Sequence, residues 1–386
     1  MTSKERVHRA LRREPVDRVP VWMWFHPHAA RRLADALEIP PAALAEALGD
    51  DVRQTWVGNN HAMEGIVHEH DGERHLDDWG VEWTKEGPFN QILHSPLADA
   101  DAATVRRYRY PSERIEALLG NLEPVMREAA RCFIGCDVSP CLVEMVCRLR
   151  GMEQTLFDLA GDPDLARAQL EAAAAFAVAL STAACDRFAV DWLWLGDDMG
   201  SQRGMIMSPA MWREQVRPHL AAIAAVGQTR GLWVAYHSCG AIRPIIPDLI
   251  EIGINVLNPI QCNCPGMAAA ELKRDFGDTL AFHGGVDTQD LLPNGTAARV
   301  HRETSRLIET MTTAGGGYIL GASHAVPPET PVANLLAMYA AAGISREEIG
   351  DRAAAIRARE RVRERVPRPE RAPPATQAAV ADGKRS

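Results

Sequence analysis

Short β-rich runs, alternating in the second half of the chain with longer segments of helical pattern, restrict this sequence to an α/β fold with a parallel sheet. The runs fall at residues 19–24, 52–57, 132–138, 191–195, 232–236, 255–257, 280–282 and 318–320. Helical patterns follow the later ones at 209–225, 242–252, 268–276, 296–313 and 331–342. Three of those helices carry start signals: Ser208-Pro209, Asn294-Gly295-Thr296 and Thr330-Pro331. Eight runs predict a (β/α)8 TIM barrel. A doubly wound open sheet is the alternative, but no Gly-x-Gly-x-x-Gly turn supports it.

The barrel is expected to occupy residues 1–350. Residues 58–131 are less regular and read as an insertion folded over the barrel mouth. From Asp351 the chain becomes rich in Arg, Glu, Pro and Ala, and 351–386 reads as a tail that starts helical and then becomes disordered. A formal charge of -9, with no basic stripe in the first 350 residues, argues against nucleic acid as a partner. No apolar stretch of membrane-spanning length and no hydrophobic leader are evident, so a cytoplasmic protein is expected. The eight cysteines then read as reduced thiols. Cys132 and Cys136 lie in a strand-like run where buried Cys is ordinary, whereas Cys262 and Cys264 lie in a loop past a strand end.

In a β/α barrel the chemistry sits at the C-terminal strand ends, and those positions are unusually polar here. They carry Asp137, Ser139 and Glu144, then Asp197, Asp198 and Gln202, then His237 and Cys239. Asn258, Gln261, His283, Asp287, Ser323 and His324 complete the series. Within Tyr236-His-Ser-Cys-Gly240 an imidazole and a thiol stand two residues apart at a strand end, half of a soft metal site. Zinc suits these donors best, with His324 as third ligand and His283 as second choice. A three-ligand zinc leaves one position open for a thiol, whose pKa it lowers, or for water. The plainer readings are a satisfied loop histidine for His324, and for Asp197 and Asp198 a capping role at the helix near Ser208.

At this point the chain resembles the uroporphyrinogen decarboxylase superfamily, in the branch that includes zinc-dependent methyltransferases using a corrinoid protein. The resemblance rests on Lys4-Glu-Arg-Val-His-Arg-Ala-Leu, Asp17-Arg-Val-Pro20, Leu149-Arg-Gly-Met-Glu153 and Gly196-Asp-Asp-Met-Gly-Ser-Gln202. It continues through Ser208-Pro-Ala-Met-Trp, His237-Ser-Cys-Gly, Asn258-Pro-Ile-Gln, Phe282-His-Gly-Gly-Val-Asp-Thr-Gln289 and Pro327-Pro-Glu-Thr-Pro-Val-Ala-Asn334. It implies a uroporphyrinogen decarboxylase-like barrel with zinc on His237 and Cys239, and with His324 where the methyltransferases place a second Cys. That exchange removes one thiolate charge and leaves the metal a stronger Lewis acid.

Two departures narrow the expectation. Trp22-Met-Trp-Phe-His-Pro-His28 stands where the decarboxylases carry an Arg-rich tetrapyrrole grip, which argues against uroporphyrinogen as substrate. The sequence has no Asp-x-His-x-x-Gly motif, so methylcobalamin or another corrinoid must arrive on a separate protein. The expected activity is methyl transfer between that corrinoid protein and a small thiol or tetrahydrofolate. In that activity Asp197, Asp198 and Glu144 serve catalysis, and Gln202, Asn258, Gln261, His283 and Asp287 hold the substrate. A lyase or hydrolase with Asp197 or His283 as base is the alternative enzyme, and a ligand-binding regulator the non-enzymatic one. Barrels of this superfamily often pair, so a homodimer is a further expectation.

Overall fold

Period-two alternation along parallel strands divides the apolar residues between two separate cores, and this division positions the site. The computed structural model describes residues 1–58, 68–313 and 315–365. In chain order the strands are β1 (Val52–Trp56), β2 (Arg74–Leu76), β3 (Glu82–Glu86), β4 (Phe89–His94), β5 (Phe133–Asp137), β6 (Trp192–Gly196), β7 (Trp233–His237), β8 (Val256–Asn258), β9 (Ala281–Val286) and β10 (Tyr318–Ala322). Strands β1 and β5 to β10 form one parallel seven-stranded sheet in the order β1-β5-β6-β7-β8-β9-β10. Leu193, Leu195, Val234, Tyr236, Leu257 and Phe282 face the outer core with the helices. Val52, Phe133, Trp192, Trp194, Ala235, Val256, Ala281 and Ile319 face inward, where Val7 and Leu11 of the first helix, Ser3–Leu11, join them.

The sheet is TIM-barrel-like but is not a closed ring of eight strands. The expected first strand, 19–24, is reduced to isolated bridges, Val21 with Leu320 and Phe25 with Val326. Pro20-Val21-Trp22 nevertheless bonds towards both edges. Trp22 N–H donates to Leu320 O at 3.0 Å, Leu320 N–H to Pro20 O at 2.8 Å, and Asp51 N–H to Val21 O at 2.8 Å. Pro20 has no N–H to donate, which limits how far the ladder extends.

The Asp51 carboxylate is fully buried and holds this junction. It accepts from Arg6 Nη1 at 2.6 Å, Arg18 Nη1 at 2.7 Å and Val21 N–H at 2.8 Å. One side chain thereby joins the first helix, the segment before Val21 and the start of β1.

The helix Arg346–Arg365 runs through residue 351, and Ile349, Ala353 and Ile356 are buried, so the barrel's packing extends past the expected boundary. The rest of that tail, 366–386, lies outside the described residues, as do 59–67 of the insertion. The insertion contains the antiparallel sheet β2-β3-β4. Among the described residues the helix Pro163–Arg187 is long and apolar enough to cross a membrane, contrary to the sequence expectation, yet 50% of its most apolar window is buried within the protein.

Removing the Asp51 carboxylate takes one of two carboxylate partners from the buried Arg6 guanidinium, which keeps Asp17 through Nε at 2.6 Å and Nη2 at 2.7 Å. Asp51→Ala is expected to cost about 1.5–3 kcal/mol in urea unfolding, the range for losing hydrogen bonds to a buried charged group whose partners keep other contacts. A loss below about 1 kcal/mol would show that the junction does not depend on it. Neighbouring Asp50 is 3% exposed and accepts the Tyr339 hydroxyl at 2.7 Å. Burial pushes its pKa up to about 7 and Asp51 adds to the rise, while the Tyr339 hydrogen bond and the charges of Arg53 and Arg18 oppose it. The folded chain therefore keeps a proton that the unfolded chain releases near pH 4, and stability falls as pH rises from about 4 to about 7. Asp50→Asn is expected to remove that component, up to about 4 kcal/mol between pH 4 and 8. Identical pH slopes for variant and wild type would count against it.

Candidate metal centre

The inward positions at the strand ends converge on one cavity of about 530 Å³. His237 closes β7, and the register pairs it with Asn258 on β8. A tight turn follows, with Gly240 at φ +77, where a Cβ would lie 2.5 Å from the Gly200 carbonyl carbon. Hydrogen bonds to neighbouring elements pin each residue of the turn. Asn258 Oδ1 lies 2.7 Å from His237 Nδ1, and the buried Ser238 hydroxyl accepts Met199 N–H at 2.9 Å. Asp198 Oδ1 accepts Cys239 N–H at 2.8 Å, and Gln261 Oε1 accepts Gly240 N–H at 2.8 Å.

Gln261 also reaches the turn after β10, donating to Ser323 O at 3.4 Å. It therefore spans the two loops that carry Cys239 and His324. His324 leans on the Trp24 ring with centroids 5.3 Å apart, and Trp24 packs on Trp56 at 4.6 Å. Val326 N–H donates to Trp24 O at 2.7 Å, which holds those neighbours side by side.

The donor atoms of His237, Cys239 and His324 all lie within 4.8 Å of one another. Cys239 Sγ is 3.7 Å from His237 Nε2. Tetrahedral zinc, with bonds of about 2.0–2.3 Å, places its ligands about 3.5 Å apart, which the His237–Cys239 pair already approaches, and His324 stands within 4.8 Å of both. Two imidazoles and one thiol are a zinc donor set with one position left open. Burial lowers the His324 pKa to about 4, helped by nearby His237, so His324 is a neutral donor at physiological pH. Burial raises the Cys239 thiol well above its ordinary value, and the Asp198 carboxylate adds to the rise. A bound dication reverses that balance and deprotonates the thiol.

The other expected site residues separate by what they touch. Asp198 and Glu144 line the cavity, as do Asn258 and His283. Glu144 is paired with Arg148 Nη2 at 2.7 Å. Asp197 is fully buried and lies outside the cavity lining, and its carboxylate accepts Leu142 N–H at 3.0 Å and Glu144 N–H at 2.8 Å. It caps the helix Val143–Arg150, not the helix near Ser208, whose own hydroxyl accepts Met211 N–H. Burial raises the Asp197 pKa well above the carboxylate range against those N–H donors. Asp287 likewise caps, accepting the N–H groups of Gln289, Asp290 and Leu291 at 2.9–3.0 Å. Gln202 is exposed and meets Gln261 and the Cys264 thiol, and Gln261 serves the turns as described. None of these three is in the cavity lining.

Sequence reasoning missed the aromatic wall. Trp22, Trp24, Phe25, Trp56, Phe89 and Trp194 line the cavity. The signal was the i, i+2 spacing of Trp22 with Trp24, which turns both indoles to one side of an extended segment. Phe89 comes from β4, so the insertion does contribute to the cavity.

The family model for uroporphyrinogen decarboxylase (URO-D) matches residues 85–343, more than half of the chain. The chain belongs to the uroporphyrinogen decarboxylase family. A methyltransferase from Methanosarcina mazei superposes with a TM-score of 0.68 at 19% identity, covering 89% of this chain and 98% of that one, and shows the shared fold. A 7,8-dihydropteroate synthase from Vibrio fischeri ES114 matches at a TM-score of only 0.33 and 11% identity, over 91% of this chain and 95% of that one. No curated protein matches the sequence. Within this family fold the cluster predicts one zinc per chain. His324→Ala is expected to lower zinc affinity in chelator competition by more than about 100-fold, the upper end of losses for residues behind the ligands. Unchanged occupancy would remove His324 from the ligand set.

Proposed function

We propose that this protein is a zinc-dependent methyltransferase that moves a methyl group between a corrinoid on a separate protein and a small thiol or tetrahydrofolate. The observation that carries the reading is the convergence of His237, Cys239 and His324 donor atoms within 4.8 Å, with His237 and His324 in the lining of the cavity. Family membership and the fold shared with a methyltransferase support it.

When bound, zinc would supply a Lewis acid that lowers the pKa of a thiol placed in its open position. His237, Cys239 and His324 would hold it, and Asp198 fixes the Cys239 backbone. Asp198 is 43% exposed, lines the cavity and lies 3.6 Å from His237 Nε2, which makes it the acceptor for the proton released by the thiol. The Glu144–Arg148 pair forms a polar part of the lining, and the indole walls limit water. In the transfer the acceptor's electron pair forms the new bond to the methyl carbon while the cobalt–carbon pair stays with cobalt. Catalysis is then activation of the nucleophile and in-line alignment.

The test follows the cobalamin spectrum with methylcobalamin and a thiol or tetrahydrofolate, before and after metal removal. Turnover is expected to vanish with chelation and return with zinc, and Cys239→Ala is expected to lose more than about 100-fold in rate and in zinc affinity. Turnover undiminished by chelation would overturn the zinc role. No cobalamin change with any acceptor would favour a lyase on the same barrel.

A further inference from the structure

The hydrogen bonds behind His237 form an unbranched chain whose direction is set by one backbone carbonyl. His283 Nε2 lies 3.1 Å from Trp22 O, His283 Nδ1 lies 2.7 Å from Asn258 Nδ2, and Asn258 Oδ1 lies 2.7 Å from His237 Nδ1. A carbonyl oxygen only accepts, so His283 Nε2 carries the hydrogen and its Nδ1 is a bare acceptor. Asn258 must then present its NH2 to His283, and the same NH2 lies 3.4 Å from the His283 carbonyl, a second acceptor. Its Oδ1 is left facing His237, which must donate from Nδ1. The lone pair of His237 Nε2 is thereby aimed at the side where Cys239 Sγ stands 3.7 Å away.

We propose that Asn258 and His283 are positioning residues that fix the tautomer of His237 for metal binding, with the Trp22 carbonyl as the origin of the chain. This replaces the substrate-binding role expected for both, and it rests on the metal reading above. The surroundings are built for the arrangement. His283 is 3% exposed and stacks on Trp22 with centroids 4.9 Å apart and planes 20° apart. A Cβ at Gly321 on the adjacent strand would lie 2.4 Å from His283 Nε2, so glycine at 321 leaves the ring its place. Backbone bonds on both sides of Trp22 hold the carbonyl itself.

The test has two parts. Long-range 15N–1H spectra of the metal-free protein read the tautomers directly, with His237 expected as Nδ1–H and His283 as Nε2–H. Cobalt and zinc affinities by chelator competition read the consequence. Asn258→Leu is expected to lose 10–100-fold, the range for residues that orient a ligating histidine, and His283→Phe about 10-fold because the amide is then free to turn. Asn258→Asp still accepts from His237, so its affinity is expected within about threefold of wild type, while His283, then facing an oxygen on both sides, gains a hydrogen at Nδ1 beside the one at Nε2. A purely structural role would not move that tautomer signal or give that rescue. His237 found as Nε2–H, or wild-type affinity in folded Asn258→Leu and His283→Phe, would overturn the proposal. If the leucine variant does not fold, the wild-type tautomers decide. A wild type that binds neither metal refutes the metal reading, and the spectra still judge the hydrogen-bond chain.

Discussion

The buried Asp51 carboxylate is the contact on which the rest of the arrangement depends. It satisfies Arg6 from the first helix, Arg18 from the following loop and the Val21 N–H at once. A charge taken fully out of water is tolerable only with such a set of partners, so the three segments are held together by the cost of separating them. The first helix then stays beneath the inward core, and Pro20-Val21-Trp22 stays between the sheet edges although it forms no regular strand.

From that junction order passes to the His237, Cys239 and His324 cluster through short, directional bonds. Trp22 carries the carbonyl that orients His283, and through Asn258 it orients His237. Gln261 ties the turn after β7 to the turn after β10. Metal-ligand positions tolerate errors of only a few tenths of an ångström, and loop residues hold such limits when neighbouring side chains bond their backbone. The polar residues at the strand exits are therefore divided in labour: some face the cavity, and Asp197, Asp287, Gln202 and Gln261 hold the loops that carry the rest.

Within the family, this cavity joins a zinc-type donor set to a wall of indoles in place of the basic grip that a polycarboxylate tetrapyrrole requires. Arg53 and Arg148 are the cationic side chains in its lining, with Arg53 paired to Glu128 and Arg148 to Glu144.

The sequence by itself determined the α/β class, seven of the eight expected strands and the His237, Cys239 and His324 cluster. These were legible because period-two runs, helix caps and the His-x-Cys spacing are local patterns that survive in one dimension. Only the tertiary structure decided the fate of the polar strand exits. Asp197 and Asp198 are adjacent in sequence, yet alternation turns one into the packing beneath the helix Val143–Arg150 and the other into the cavity. The reduction of residues 19–24 to bridges and the passage of the last helix through residue 351 were likewise hidden, because each depends on what the segment packs against. The tautomer of His237 lies furthest from the sequence: it is set by a carbonyl 215 positions away that folding brings to the end of a hydrogen-bond chain.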